Sequence, residues 1–79
     1  MYTVYVLKSL KDHKRYIGMT RNIVQRISQH DAGQVKSTKH RRPLQLVYTE
    51  EVETREEASK KELFFKSGKG REYLKNKGA

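Results

Sequence analysis

The stretch from Tyr16 to His30, reading Tyr-Ile-Gly-Met-Thr-Arg-Asn-Ile-Val-Gln-Arg-Ile-Ser-Gln-His, limits what this chain can fold into more than any other. It begins with strand residues, carries Gly18 where a strand gives way, and continues through a cap into an amphipathic segment. Asn22 followed three residues later by Gln25 resembles a capping box, with Thr20 as the competing cap. Ile23 and Ile27 form the stripe expected to be buried, and Gly33 after Ala32 is a natural stop. Asn22, Arg26 and His30 recur every four residues and so share a second stripe, expected at the edge of the core and facing outward. A strand end presenting Tyr16, followed by a helix presenting Arg26 and His30, gathers three groups suited to handling a phosphate.

The length supports one small domain, 1–79, since a chain of this size buries only roughly 60% of its unfolded surface. That argues against a large substrate cavity. Eighteen Lys and Arg against nine Asp and Glu give a net charge of +9, which points to a polyanionic partner. Solubility or ribosome association fits the same charge. The absence of cysteine excludes disulfides, thiolate zinc sites and cysteine nucleophiles together. Met1 to Leu7 is too short for a signal peptide and lacks a basic leader, so it reads as a strand of the mature protein and the simplest localisation is cytoplasmic. No apolar run approaches membrane-spanning length, so no membrane partner is expected, nor is a nucleotide cofactor.

Tyr2 to Leu7 is rich in β-branched and aromatic residues at both parities, as in a central strand covered on both faces. Lys8 to Lys14 is a polar reversal and Arg15 to Met19 a second strand ending at Gly18, together a hairpin. An even register would put Tyr5 and Tyr16 on one face. Gly33 to Arg42 is a polar loop carrying Lys36, Lys39, Arg41 and Arg42, long enough to be functional. Pro43 opens a third strand, Leu44 to Thr49, in which Leu44, Leu46 and Tyr48 alternate with Gln45, Val47 and Thr49. Thr54-Arg-Glu-Glu57 is a capping box that starts a helix from about Arg55 to Lys66. After a break at Ser67–Gly70 comes a short terminal helix over Arg71 to Lys75, with Lys77 to Ala79 expected to fray.

Within the second of these helices Glu62 lies on the same line as Ala58 and Phe65. A carboxylate on a core-facing line needs a partner. Lys66, four residues on, would make an ordinary helix ion pair. The other reading is a metal ligand, for which magnesium is suited because it often takes only one or two protein carboxylates plus substrate phosphate oxygens. Arg26 matches phosphate bidentately, and His30 is able to move a proton near neutrality. Read singly, Arg26 and His30 are surface residues and Tyr5 and Tyr16 are packing residues. Their combination is what suggests chemistry.

That combination resembles the GIY-YIG nuclease superfamily. Tyr16-Ile17-Gly18 matches the second half of its signature, with Val4-Tyr5-Val6 in the first half, Arg26 eight residues after Gly18, His30 one turn later, and Glu62 preceding Lys66. The resemblance covers nearly the whole chain and is greatest to small stand-alone bacterial members, related to the N-terminal domain of the excision-repair nuclease. It implies an α+β fold, a small three-stranded antiparallel sheet flanked by helices. It also implies phosphodiester hydrolysis dependent on a divalent metal, Mg2+ or Mn2+. The family's catalytic positions correspond to Tyr5, Tyr16, Arg26, His30 and Glu62, with Glu62 holding the metal, Arg26 steadying the phosphate and one tyrosine helping to deprotonate the attacking water. Such a tyrosine must be made more acidic, which nearby cations favour, unless the water itself is made easy to ionise. Val4 replaces the first signature Gly, Met19 stands where repair enzymes carry Lys, and an Asn used late in the domain by some relatives has no assigned counterpart.

The function expected is an endonuclease acting on nucleic acid, DNA in preference to RNA, with DNA repair as a context. Lys36, Lys39, Arg41, Arg42 and Lys66 are the expected nucleic-acid contacts. A partner protein supplying specificity fits the lack of an accessory DNA-binding domain. The runner-up is a non-cleaving basic nucleic-acid-binding module on the same fold.

Overall fold

Apolar residues at both parities of a strand require cover on both faces. In the computed structural model, which describes residues 1–79, that strand, β1 (Tyr2–Ser9), lies in the middle of a three-stranded antiparallel sheet. β2 (Arg15–Thr20) and β3 (Leu44–Val52) pair with its two sides, giving the order β2-β1-β3. α1 (Ile23–Asp31) follows β2, and α2 (Arg55–Lys66) and α3 (Gly68–Asn76) follow β3. The α+β architecture implied by the resemblance is thus observed. No helix is long and apolar enough to cross a membrane.

Strand alternation divides the interior in two. Val4 and Val6 join Ile17, Val52, Ala58, Phe65 and Leu74 in one cluster that seats α2 and α3 on the sheet. Tyr5 and Ser9 point to the opposite face, where Tyr5 meets His30 of α1 and the Ser9 hydroxyl donates to the Arg41 carbonyl. The sheet therefore supports a packing core on one side and a polar assembly on the other.

Several local expectations change. β2 does not end at Gly18 but continues to Thr20. β3 runs to Val52, and its plain alternation fails because Val6 pairs with Tyr48 while Leu7 pairs with Leu46, leaving Val47 as an extra residue. This bulge turns Val47 and Tyr48 together toward the core and leaves Leu46 43% exposed. Asn22 is the α1 cap, its Oδ1 accepting from the Gln25 N–H at 3.1 Å, while Thr20 Oγ1 accepts from the Asn22 N–H. α3 starts at Gly68 because Ser67 serves both helices, its hydroxyl donating to the Phe64 carbonyl and accepting from the Gly70 N–H. A β-carbon at Gly70 would collide with that same carbonyl. The last residues are not frayed: Ala79 is buried, its N–H donates to the Leu74 carbonyl, and its main-chain oxygen accepts from Arg15.

Candidate active site

The hairpin register decides the position of the two tyrosines. Tyr5 pairs with Gly18 and Leu7 with Tyr16, so the tyrosines share a face, with ring centroids 6.4 Å apart. The even register expected from the sequence holds. Gly18 is needed inside the strand, not at its end: a β-carbon there would lie 2.5 Å from the Tyr5 hydroxyl. Only a bare backbone lets the Tyr5 ring lie across β2.

α1 brings Arg26 and His30 to this face, but not both outward. His30 is fully buried and is the buried residue of the helix, whereas Ile23 and Ile27 are half-covered. The expected outward-facing histidine is therefore corrected. Burial is tolerable because both ring nitrogens have partners: Nε2 lies 2.9 Å from the Tyr5 hydroxyl and Nδ1 2.7 Å from Thr38 Oγ1. Tyr16 closes over the imidazole at 5.2 Å between centroids. Thr38, also fully buried, was missed because its loop has no apolar period. The available signal was the turn in which Val35 and Thr38 stand three apart, joined by a Thr38 N–H to Val35 carbonyl bond.

Arg26 Nε donates to the Tyr5 hydroxyl at 3.4 Å and Nη1 to Gln29 Oε1 at 3.0 Å, and the guanidinium also interacts with the Tyr16 hydroxyl. Burial pushes the Tyr5 phenol above its ordinary pKa, and the opposing hydrogen bond from Arg26 does not overcome it. The charges of Tyr16 and Glu62 add to the rise. The expectation that cations acidify the tyrosine fails for Tyr5, since desolvation outweighs them. His30 is shifted the other way, below the usual histidine value, first by burial and then by the Arg26 charge, with Asp31 opposing. Both members of the Tyr5–His30 pair are neutral at pH 7, and Arg26, held more basic by its Tyr5 bond, keeps its charge.

Glu62 comes from α2, partly covered, and its carboxylate lies 3.4 Å from Lys66 Nζ. The ion pair foreseen as one of its two readings is present, though Lys66 is more than half exposed. The loop cations divide. Arg41 pairs with Asp12 at 3.4 Å and donates to the Arg15 carbonyl, and Arg42 donates to the Lys39 and Asp31 carbonyls. Lys36 and Lys39 are exposed, with no side-chain partner.

Similarity to known proteins gives the family of the chain. A family model described as the GIY-YIG catalytic domain matches residues 1–76. The chain is 44% identical over 63 residues to a UPF0213 protein of Listeria monocytogenes, covering 78% of this chain and 70% of the relative. It is 42% identical over 73 residues to a UPF0213 protein of Staphylococcus saprophyticus, covering 91% and 88%. A UPF0213 protein of Natronomonas pharaonis is 42% identical over 65 residues, covering 81% and 75%. The names of these relatives state no reaction. No solved structure matches the chain.

Proposed function

Because the chain belongs to the GIY-YIG catalytic domain family, a nuclease family, we propose that it is a divalent-metal-dependent endonuclease hydrolysing phosphodiester bonds, with DNA as the preferred substrate. The observation that carries this reading is the convergence of Tyr5, Tyr16, Arg26 and His30, from three separate elements, around one hydrogen-bonded centre.

Each group has a task consistent with its surroundings. Arg26 offers its guanidinium to the scissile phosphate, where a charge-assisted fork is strongest. Tyr16, the more exposed of the two tyrosines, presents its hydroxyl to the attacking water. Tyr5 is almost fully buried and holds its proton, so it orients Arg26 on one side and His30 on the other. Thr38 fixes the imidazole from behind.

Glu62 is the residue that would hold the metal. No three His, Cys, Asp or Glu side chains gather into a protein-only cage, and a single partly covered carboxylate fits Mg2+ or Mn2+, whose remaining ligands are waters and phosphate oxygens. Such an ion supplies Lewis-acid stabilisation of the phosphate's charge. The pairing of Glu62 with Lys66 favours the second reading, a basic module that binds without cleaving. Incubation with labelled DNA and RNA structures, in magnesium, manganese or EDTA, separates the two. Metal-dependent cleavage by wild type and none by Glu62→Gln is expected. Salt-sensitive binding without cleavage would leave only the module.

A further inference from the structure

The start of β2 with the turn before it, the end of α2 and the first turn of α3 line a groove of about 460 Å³ whose cations are Lys14, Arg15, Lys66 and Arg71. No acidic side chain lines it, and Ile17 and Phe65 form its floor. Phosphate is the ligand chemistry that such a lining selects, because four cations share the groove and only Lys66 has a carboxylate partner, the long contact to Glu62, so their mutual repulsion is relieved when an anion enters.

Three of the four cations have little else to do. No side-chain partner engages Lys14 or Arg71, both exposed, and Lys66 has only the long contact to Glu62. Arg15 is oriented by the Ala79 main-chain oxygen, which takes its Nε and one Nη and leaves the other Nη free. Lys66 sits four residues of α2 beyond Glu62, about 6 Å along the helix axis. That step is between one and two nucleotides of a strand rising about 3.4 Å each.

We infer that this groove binds a backbone phosphate of the nucleic-acid strand adjoining the scissile one, so that the strand runs along the open side of β2 from Glu62 toward Arg71. The assignment rests on the nuclease reading for its register but not for its chemistry. It also gives the chain a binding surface distinct from the 33–42 loop, where two of the four expected cations are engaged internally.

The test is equilibrium binding of a short labelled single-stranded oligonucleotide in EDTA, followed by anisotropy between ~50 and ~200 mM salt. Three proteins are compared: wild type, Lys14→Ala/Arg71→Ala, and Lys36→Ala/Lys39→Ala. Each phosphate that is no longer neutralised should flatten the log–log salt slope by about 0.7 for a single strand, so loss of the one groove phosphate should make the slope of the groove variant shallower by about 0.7. Thermal unfolding of the groove variant should match wild type, since neither side chain has a partner to lose. An unchanged slope in a folded groove variant, or no binding by wild type, overturns the assignment. Inorganic phosphate is the competing source of the same chemistry. If it displaces the oligonucleotide more strongly than chloride at equal ionic strength, the groove is a free-anion site and the strand assignment fails. Because metal is absent from the binding assay, groove-dependent binding without cleavage in magnesium would sink the nuclease reading alone. Metal-dependent cleavage with an unchanged slope would sink the groove alone.

Discussion

Thr38→Val removes one oxygen from the buried chain Tyr5–His30–Thr38 while keeping the branched shape of the side chain. Thr38 and His30 are both fully buried, and the 2.7 Å bond to Nδ1 is the only side-chain partner of either the hydroxyl or that nitrogen. Its loss strands a polar ring atom away from water, at a cost of about 1–3 kcal/mol. In a domain of this size each kcal/mol shifts the unfolding midpoint by roughly 4–8 °C. Thr38→Ser is the informative partner: it keeps the hydroxyl and gives up one methyl group, about 0.8 kcal/mol by area. If the hydroxyl matters, Ser should be the milder change. If Thr38 only fills space, Val should be tolerated and Ser should be the worse. Thermal and urea unfolding at neutral pH give the order, with an unchanged urea slope confirming that the folded state is the one affected. A Val variant as stable as wild type, with Ser below it, would refute the argument that His30 is buried by virtue of its two partners.

The pH dependence of stability follows from the same pair. The His30 pKa is lowered on folding, so the unfolded chain binds more protons below its ordinary value of about 6.5. The His30 contribution is therefore complete above about pH 6.5 and is lost as pH falls from there through the folded value. Denaturation midpoints at mildly acid pH should show this decline in wild type and not in His30→Asn. Gly18→Ala should cost about 1–3 kcal/mol by overpacking against Tyr5. Its cost should largely vanish in a Tyr5→Ala background, and full additivity in that double-mutant cycle would contradict the close approach. Tyr16→Phe should abolish most cleavage while leaving unfolding unchanged, and wild-type turnover would reduce Tyr16 to packing. Glu62→Met should change stability by no more than about 0.5 kcal/mol, since an exposed helix pair contributes only that much. A loss of several kcal/mol in metal-free buffer would instead mark Glu62 as a structural anchor.

The legible parts of this fold are those set by local rules. Asn22 and Thr54 cap the helices expected of them, and α2 has the predicted bounds because Thr54, the acidic first turn and the Ala58–Phe65 line agree. β1 is central, as its two apolar faces required. What escaped depends on long-range contact. His30 looks like a surface residue until Tyr5 and Thr38 arrive from 25 residues before it and 8 after it to satisfy its nitrogens. The role of Gly18 is invisible without the Tyr5 ring that crosses it. Val47 changes the parity of β3 through a bulge, which no alternation rule anticipates. Arg41 and Arg42 counted as free charge in the sequence, yet the fold uses both to tie the loop to the hairpin and to α1.

The protonation states around the two tyrosines narrow what the centre has to do. Tyr5 is held neutral by burial despite Arg26, and His30 is held neutral by burial and Arg26 together. The fixed charges nearby are then the Arg26 guanidinium and the Glu62–Lys66 pair. An incoming phosphate meets a net positive site whose hydrogen bonds are already formed, so little reorganisation is needed when it arrives. A proton leaving the attacking water has no preformed anion among Tyr5 and His30 to receive it. In the proposed nuclease that proton would pass to an oxygen of the substrate phosphate or to solvent at the open side, and a divalent ion held by Glu62 would supply the Lewis acidity that makes the water easier to ionise. In the proposed nuclease Arg26 and Tyr16 would act on the substrate itself. Tyr5, His30 and Thr38 form the buried frame that keeps the guanidinium aimed at it, which is why a change as distant as Thr38→Val should reach the chemistry.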